Sequence, residues 1–132
     1  MQNVKNSNLV LDLKRDVFYR AKIFIDDMGH FAPFGSESIN GKIKPIVIYD
    51  DTKNNIEVTK WVDLLLTNFS LKLKNKEIEA GAIAYDVFLN SKDIDGKTLK
   101  RNALCLQLSL NGIHWDEEYY PYKIINKECV WG

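Results

Sequence analysis

Apolar residues recur at helical spacing in two segments of the chain. Over residues 9–28 they fall three or four positions apart, and charged residues fill the opposite side. This is the pattern of an amphipathic helix that packs on a core. Asn8 suits the N-cap of this helix, and Gly29 suits the position after its last turn. A second stripe of the same kind predicts a helix over about residues 55–75.

Elsewhere apolar and polar residues alternate, which predicts strands. Two Asn-Gly pairs, at residues 40–41 and 111–112, lie between such segments. An Asn-Gly pair tolerates the two positive φ angles of a type I′ turn, so each pair predicts a two-residue hairpin loop and a strand register. The predicted strands are residues 31–39, 42–50, 80–89, 103–110 and 113–125, with a polar loop over residues 90–97.

The first loop places Phe34 opposite Val47 and Glu37 opposite Lys44. Proline has no amide hydrogen to donate to a sheet, so we expect the pairing to end, or a bulge to form at Gly35, before the chain reaches Pro33. The second loop fixes the other hairpin in the same way, and it is the basis for the site predictions below.

The predicted order is helix, two strands, helix and three strands (α-β-β-α-β-β-β). Hairpins and amphipathic helices in this order favour a two-layer α+β sandwich, in which two helices on one face cover an antiparallel sheet of about five strands. A length of 132 residues suits one domain with its own core. We therefore expect a single domain over residues 1–132, with residues 1–8 and 126–132 as flexible or loosely docked ends.

This order of elements resembles the profilin-like sandwich of longin and roadblock domains, without their final helix. Three short segments, residues 30–35, 82–87 and 120–122, are also similar to a pattern of small uncharacterised bacterial proteins. The resemblance spans most of the chain. It implies the architecture and no activity.

Charge and composition narrow the classes of partner. The 18 basic and 18 acidic residues cancel, so no net field attracts nucleic acid or an anionic membrane. No apolar run approaches the ~18 residues of a membrane span. The N-terminus has no signal-peptide core, and the abundance of lysine, asparagine and isoleucine suits an AT-rich bacterial genome. We expect a cytoplasmic protein with no cofactor, no nucleic acid partner and two free thiols, Cys105 and Cys129.

One strand of the second hairpin holds a candidate metal site. His114, Asp116 and Glu118 alternate and therefore share a face, and the predicted register places Cys105 opposite Glu118. Histidine, carboxylate and thiolate are ligands of zinc and similar metals. The same pattern is also typical of a solvated strand face, which is the interpretation that we favour.

Other acidic residues offer further candidates. Asp26, Asp27 and His30, near the end of the first helix, could form an acid–base pair or could simply face water. The Asp-Ile-Asp-Gly run at residues 93–96 resembles part of a calcium loop. Asn102 stands where that loop needs a bidentate glutamate, so we expect a turn instead.

Two carboxylates fall on strands that are otherwise apolar. A buried carboxylate must be paired or have a raised pKa. We expect Asp86 to cap a backbone group or to lie at the rim of the sheet. The predicted register places Glu117 among leucines, and a bulge would turn it back to solvent.

Aromatic residues are concentrated near the end of the chain. Trp115, Tyr119, Tyr120 and Tyr122 are interface candidates, because tyrosine and tryptophan are enriched at binding hot spots. They are also common strand residues.

The leading functional hypothesis is a non-catalytic protein-interaction module or homodimer, with a toxin-neutralising immunity-type protein as one form of it. It follows from the lack of a catalytic motif and from more apolar sheet than two helices cover. One alternative is a metal-dependent or acid–base enzyme that uses the strand face of His114. Another is a small-ligand sensor with a pocket between helix and sheet.

Overall fold

The computed structural model describes residues 2–47 and 58–132, and the side chains of residues 8–47 and 58–132. The described residues form two helices and six strands, so the predicted α+β class is confirmed and the predicted count of five strands is one too low. The helices are α1 (Gln2–Met28) and α2 (Val58–Lys74), and the strands are β1 (Phe34–Ile39), β2 (Lys42–Val47), β3 (Ala80–Lys92), β4 (Thr98–Ser109), β5 (Asp116–Ile125) and β6 (Glu128–Trp131).

The six strands form one antiparallel sheet in the order β2-β1-β3-β4-β5-β6. β3 therefore lies near the centre, between β1 and β4, and β2 and β6 form the two edges. The antiparallel sheet that the alternation predicted is confirmed.

The two helices pack on opposite faces of the sheet, so the prediction that both cover one face is wrong. Successive residues of a strand point to opposite faces. Ala82 belongs to the apolar cluster under α1, whereas its neighbour Ile83 belongs to the cluster under α2. The two faces are called the α1 face and the α2 face below. The apolar run on both sides of β3 reflects burial on both faces.

Small residues on β1 and β3 let both helices approach closely. On the α1 face Ala80, Ala82 and Ala84 are fully buried against the helix. On the α2 face two glycines take the equivalent role beneath Phe69. A Cβ built on Gly35 would lie 2.6 Å from Phe69 Cε2, and one built on Gly81 would lie 3.2 Å from Phe69 Cγ.

Polar groups of β1 also bind both helices. On the α1 face the Ser36 hydroxyl donates to Asp16 Oδ2 at 2.5 Å, and Arg20 Nε donates to the same oxygen at 2.8 Å. On the α2 face Glu37 is 1% exposed and receives Lys72 Nζ at 3.1 Å. The Glu37 carboxylate is thus paired with a lysine of α2. Glu37 also lies opposite Lys44 of β2, as predicted.

The first hairpin forms as predicted. Asn40 and Gly41 have φ angles of 50° and 79°, which are the positive values of a type I′ turn. Phe34 pairs with Val47, and pairing stops there, one residue after Pro33. Pro45 lies on the edge strand β2, where its missing amide hydrogen removes no bond within the sheet. Residues 48–50 of the predicted strand and 55–57 of the predicted helix lie outside the described residues.

The second Asn-Gly pair does not form the predicted turn, and the register after it shifts by one residue. Asn111 lacks a positive φ, and its side chain instead accepts hydrogen bonds from the amides of Ile113 and His114, each at 2.8 Å. The Asn side chain thus closes a wider loop before β5 begins at Asp116. Because a shift of one residue exchanges the two faces of a strand, the predicted neighbours across β4 and β5 are wrong.

β6 pairs with β5 over residues 128–131, within the segment that the sequence assigned to a loosely docked end. Asn126 and Lys127 have φ angles of 53° and 66°, so they form a two-residue type I′ turn that the sequence reading missed. Trp131 packs edge-on against Phe18 of α1, with ring centroids 4.9 Å apart.

Two further boundaries differ from the prediction. α1 begins at Gln2, so Asn8 lies inside the helix and is not its N-cap. Gly29 does end the helix, with a φ of 81° and its amide bonded to the Ile25 carbonyl at 2.7 Å. The predicted polar loop at residues 90–97 is shorter, because β3 and β4 stay paired as far as Lys92 and Thr98.

The contact between Gly35 and Phe69 gives a test of the packing. We expect Gly35→Ala to lower the free energy of unfolding by about 1–3 kcal/mol, because the added methyl must displace a ring in a packed core. Gly81→Ala is the matched control and should cost less. In a double-mutant cycle measured by urea unfolding, Phe69→Leu should reduce the cost of Gly35→Ala. An equal cost in both backgrounds would contradict the contact.

Candidate functional site

Within the described residues, the members of the candidate metal site do not form a ligand cluster. His114 Nε2 lies 2.8 Å from Asp116 Oδ1, and both side chains are exposed. Glu118 forms an ion pair with Lys14 of α1 at 2.6 Å, and this contact lowers the pKa of the Glu118 carboxyl. These residues line a cavity of about 170 Å³ at the edge of α1. Cys105 lies on the opposite face of the sheet, where the shifted register pairs it with Tyr119.

Within the described part of the chain, no three histidine, cysteine or acidic side chains lie close enough to hold a metal ion. The shifted register of β4 and β5 explains why Cys105 does not lie beside Glu118. Had the second Asn-Gly pair made a two-residue turn, Cys105 and Glu118 would have been neighbours on one face.

Asp26, for which the sequence left open an acid–base pair or a solvated side chain, bonds the backbone of β6. Its Oδ1 accepts a hydrogen bond from the backbone amide of Cys129 in β6 at 2.6 Å. One helical turn earlier, Lys22 Nζ donates to the Cys129 carbonyl at 3.3 Å and pairs with Asp26 at 3.1 Å. The amide and the carbonyl of Cys129 both point away from β5. Asp26 therefore satisfies the amide, and Lys22 satisfies the carbonyl. Asp27 and His30 are exposed.

Asp86 lies where β3 leaves the core and is half-buried. Its Oδ1 accepts a hydrogen bond from the Tyr122 hydroxyl at 2.8 Å, and the Phe31 backbone amide donates to the same carboxylate. Burial raises the pKa of the Asp86 carboxyl, and these two donors oppose that shift. The expectation that Asp86 caps a backbone group is confirmed.

The run at residues 93–96 forms a turn, as expected. Asp93 Oδ1 accepts the Lys97 amide at 2.9 Å, and the Gly96 amide donates to the Asp93 carbonyl at 3.0 Å. The Asp93 carboxylate therefore serves the turn itself.

The aromatic candidates do not form one surface. Tyr120 packs against Phe18 on the α1 face, and Tyr122 is buried beneath α1. Trp115 points to the other face, where its Nε1 lies 3.3 Å from Ser70 Oγ of α2. Tyr119 is exposed on the α2 face and donates to Glu117.

A polar network on the α2 face was missed by the sequence analysis. Gln107 Nε2 donates to the Tyr85 hydroxyl at 3.1 Å and to Glu117 Oε2 at 2.9 Å. The hydrogen bond that the Tyr119 hydroxyl donates to Glu117 raises the pKa of Tyr119 to about 12. Burial raises the pKa of the Cys105 thiol in the same network. Glu117 reaches this face through the register shift, without the bulge that we expected.

The two outer edges of the sheet are protected against pairing with another strand. β2 carries Pro45 together with the exposed lysines Lys42 and Lys44, a combination that is typical of protected edges. β6 is covered at Cys129 by Asp26 and Lys22.

Among the described residues, a third edge has neither a proline nor a neighbouring strand, although it carries lysines as β2 does. β1 pairs with β3 only as far as Ala84, and β5 pairs with β4 only as far as Asn102. β3 and β4 continue beyond both neighbours to Lys92 and Thr98. Residues 88–101 therefore form a two-stranded ribbon that we call the arm. None of the other described strands pairs with it.

The arm combines exposed apolar and basic side chains. Ile94 at its tip is 103% exposed, and Phe88 and Leu99 are 68% and 45% exposed. The Lys100 ammonium lies 5.8 Å from the centre of the Phe88 ring. The remaining basic residues of the arm are Lys92, Lys97 and Arg101, and its acidic residues, Asp93 and Asp95, lie in the turn.

Comparison of the chain with protein-family models, with curated proteins and with solved structures found no match. The resemblance to the profilin-like and roadblock sandwich therefore stays a prediction. Of the described helices, neither contains an apolar stretch that could cross a membrane.

The Asp26 contact can be tested with the two cysteines of the chain. We expect Asp26→Ala to make the Cys129 thiol react several-fold faster with a disulfide reagent, because β6 loses an acceptor at its outer edge. Cys105 in β4 should react as slowly as in the unaltered chain. Asp27→Ala is the matched control, since Asp27 is exposed at the same end of α1. Equal reactivity of Cys129 in both variants would contradict this role.

Protonation of Asp26 should also weaken its hydrogen bond with the Cys129 amide of β6. The bond from the Cys129 amide, followed by Lys22, lowers the pKa of Asp26 from its ordinary value of 3.8. A carboxyl whose pKa falls on folding stabilises the fold above its unfolded-state pKa, and this contribution is lost as the pH falls through the folded-state pKa. In NMR spectra the Cys129 amide shift should titrate with a midpoint below 3.8. The titration should disappear in Asp26→Asn, and a midpoint above that value would be evidence against the contact.

Proposed function

We propose that this chain is a non-catalytic protein-interaction module that binds a protein partner through the arm. The observation that carries the proposal is the combination of exposed apolar side chains with a strand edge in residues 88–101 that no other described strand pairs with. Such an edge is a template for pairing with another chain, and soluble proteins usually protect it. The two outer edges of this sheet are protected, which favours a specific role for the third.

The engaged state of the acidic candidates supports a binding role over chemistry. Asp26 holds β6, Asp86 accepts from Tyr122 and Phe31, and Glu118 is paired with Lys14. Each carboxylate thus has a structural partner. His114 and Asp116 form a pair in the open, where water screens the interaction between them.

The apolar side chains of the arm suit a partner surface. Burial of exposed apolar surface contributes about 25 cal/mol per Å². Phe88 and Ile94 are the two large apolar side chains of the arm that expose the most surface. They lie along one ribbon and can therefore enter a partner together.

A pull-down comparison tests the proposal. We expect the unaltered chain to retain a partner from its native host that the double variant Phe88→Ser, Ile94→Ser no longer retains. Both side chains are exposed, so the free energy of unfolding should change little. The matched control is Leu64→Ser, Leu71→Ser on the outer side of α2, where the two leucines are 56% and 59% exposed.

The control variant should keep the same partner, identified by mass spectrometry. Circular dichroism would verify that all three proteins are folded. If the arm variant and the control retain identical partners, or if the unaltered chain retains none, the proposal is wrong.

A further inference from the structure

The proposed function leaves open what kind of partner the arm takes, and the inference below rests on that function. We propose that β3 accepts an extended segment of a partner as an added strand along residues 88–92, and that this segment alternates acidic and apolar side chains. The acidic side chains would lie on the α1 face and the apolar ones on the α2 face.

Successive residues of β3 direct their backbone groups to opposite sides of the strand. In an antiparallel ladder, alternate residues direct their amide and carbonyl to the same neighbour. The Asp93 amide bonds the Lys97 carbonyl at 3.0 Å, so odd-numbered residues of β3 face β4. Even-numbered residues face the β1 side. Phe88, Asn90 and Lys92 therefore direct their amides and carbonyls to the side where no described strand follows β1.

The open edge of β3 begins after Asp86. The chain before β1 approaches β3 as far as Asp86, whose carboxylate accepts the Phe31 amide. Beyond this contact the edge continues for residues 88–92, which is about the length of a short natural strand. A partner strand of that length could use all three pairs of outward backbone groups.

The side chains of the arm differ between its two faces. Residues that share a face alternate along each strand. On the α1 face Lys92 of β3 and Lys100 of β4 supply positive charge, and Lys100 lies 5.8 Å from the centre of the Phe88 ring on the same face. Neither strand of the arm carries an acidic residue. On the α2 face Leu89 and Leu99 supply apolar surface beside Arg101. An added strand meets this pattern when its own residues alternate between acidic and apolar.

The same charges disfavour a second copy of this chain as the occupant. Pairing two arms edge to edge would place Lys92 and Lys100 of both copies on one face without adding an acidic side chain to it. Like charges at neighbouring positions of a sheet are destabilising, whereas opposite charges are stabilising. An acidic strand removes this repulsion.

The register of the edge also decides which amides of the partner form bonds. Partner residues directly opposite Phe88, Asn90 and Lys92 share their face, so these are the acidic residues. Their amides should bond β3, and the amides of the apolar residues should point away. A peptide held by charge alone would not need these amides, so methylation of the amides distinguishes strand pairing from attraction by charge.

The probe is a seven-residue peptide in which valine and glutamate alternate, with the valine amides N-methylated. Methylation of one edge prevents stacking of the peptide and leaves the glutamate amides free. We expect this peptide to shift the NMR amide signals of Phe88, Asn90 and Lys92 in the full chain. A peptide methylated on the glutamate amides, and one with lysine in place of glutamate, should bind at least about tenfold more weakly.

Variants of the chain complete the experiment. Asn90→Pro removes one outward amide at an edge position where proline is tolerated, and it should abolish the shifts. The double variant Lys92→Glu, Lys100→Glu should reverse the preference toward the lysine peptide. Lys42→Glu, Lys44→Glu on the β2 edge is the matched control and should bind like the unaltered chain.

Several outcomes would overturn the inference. These are no binding at millimolar peptide, equal binding of the two methylated forms, equal binding of the glutamate and lysine peptides, and shifts away from the arm. A peptide-free dimer in sedimentation that Asn90→Pro converts to a monomer would assign the edge to a second copy instead. If the peptides fail while the arm variant still loses its partner in the pull-down, the inference is wrong and the proposed function stands.

Discussion

The close approach of two helices to the same pair of strands is the contact on which the rest of this fold depends. Alanines on one face of β3 receive α1, and Gly35 and Gly81 on the other face leave room for the Phe69 ring of α2. Because both faces of β1 and β3 are buried, the polar side chains of β1 need hydrogen-bonding partners on each face. Ser36 binds Asp16 on one side, and Glu37 binds Lys72 on the other. β3 and β4 extend well beyond this buried central block.

The peripheral strands differ in how their free backbone groups are handled. A proline and lysines protect β2, and α1 protects β6 through side chains one helical turn apart. The arm also carries lysines, but in the described part of the chain no proline and no neighbouring strand lies at its outer backbone groups. This contrast within one sheet is the reason to regard the arm as a binding element. Its basic and apolar side chains define the chemistry that a partner must offer.

The candidate site could be predicted only in part, since the predicted neighbours of Cys105 and the predicted face of Glu117 depended on one turn. The Asn40-Gly41 pair adopted the expected turn, and every neighbour that it predicted in the first hairpin was correct. At Asn111 the side chain bonded the following amides, and the register moved by one residue. Cys105 and Glu117 thereby changed neighbours. The arm was overlooked for a related reason, because the polar residues 90–92 suggested a loop whereas backbone pairing with β4 keeps them extended.

The sequence by itself determined the α+β class, the amphipathic stripes of both helices, the first hairpin and the end of α1 at Gly29, because these features depend on local periodicity and turn chemistry. Only the tertiary structure decided that the helices lie on opposite faces, since an apolar run on both sides of β3 is compatible with several arrangements. It also decided the roles of Asp26 and Lys22, which are defined by a strand about 100 residues away in the chain. Contacts between distant segments depend on how the layers pack, and no local pattern records that.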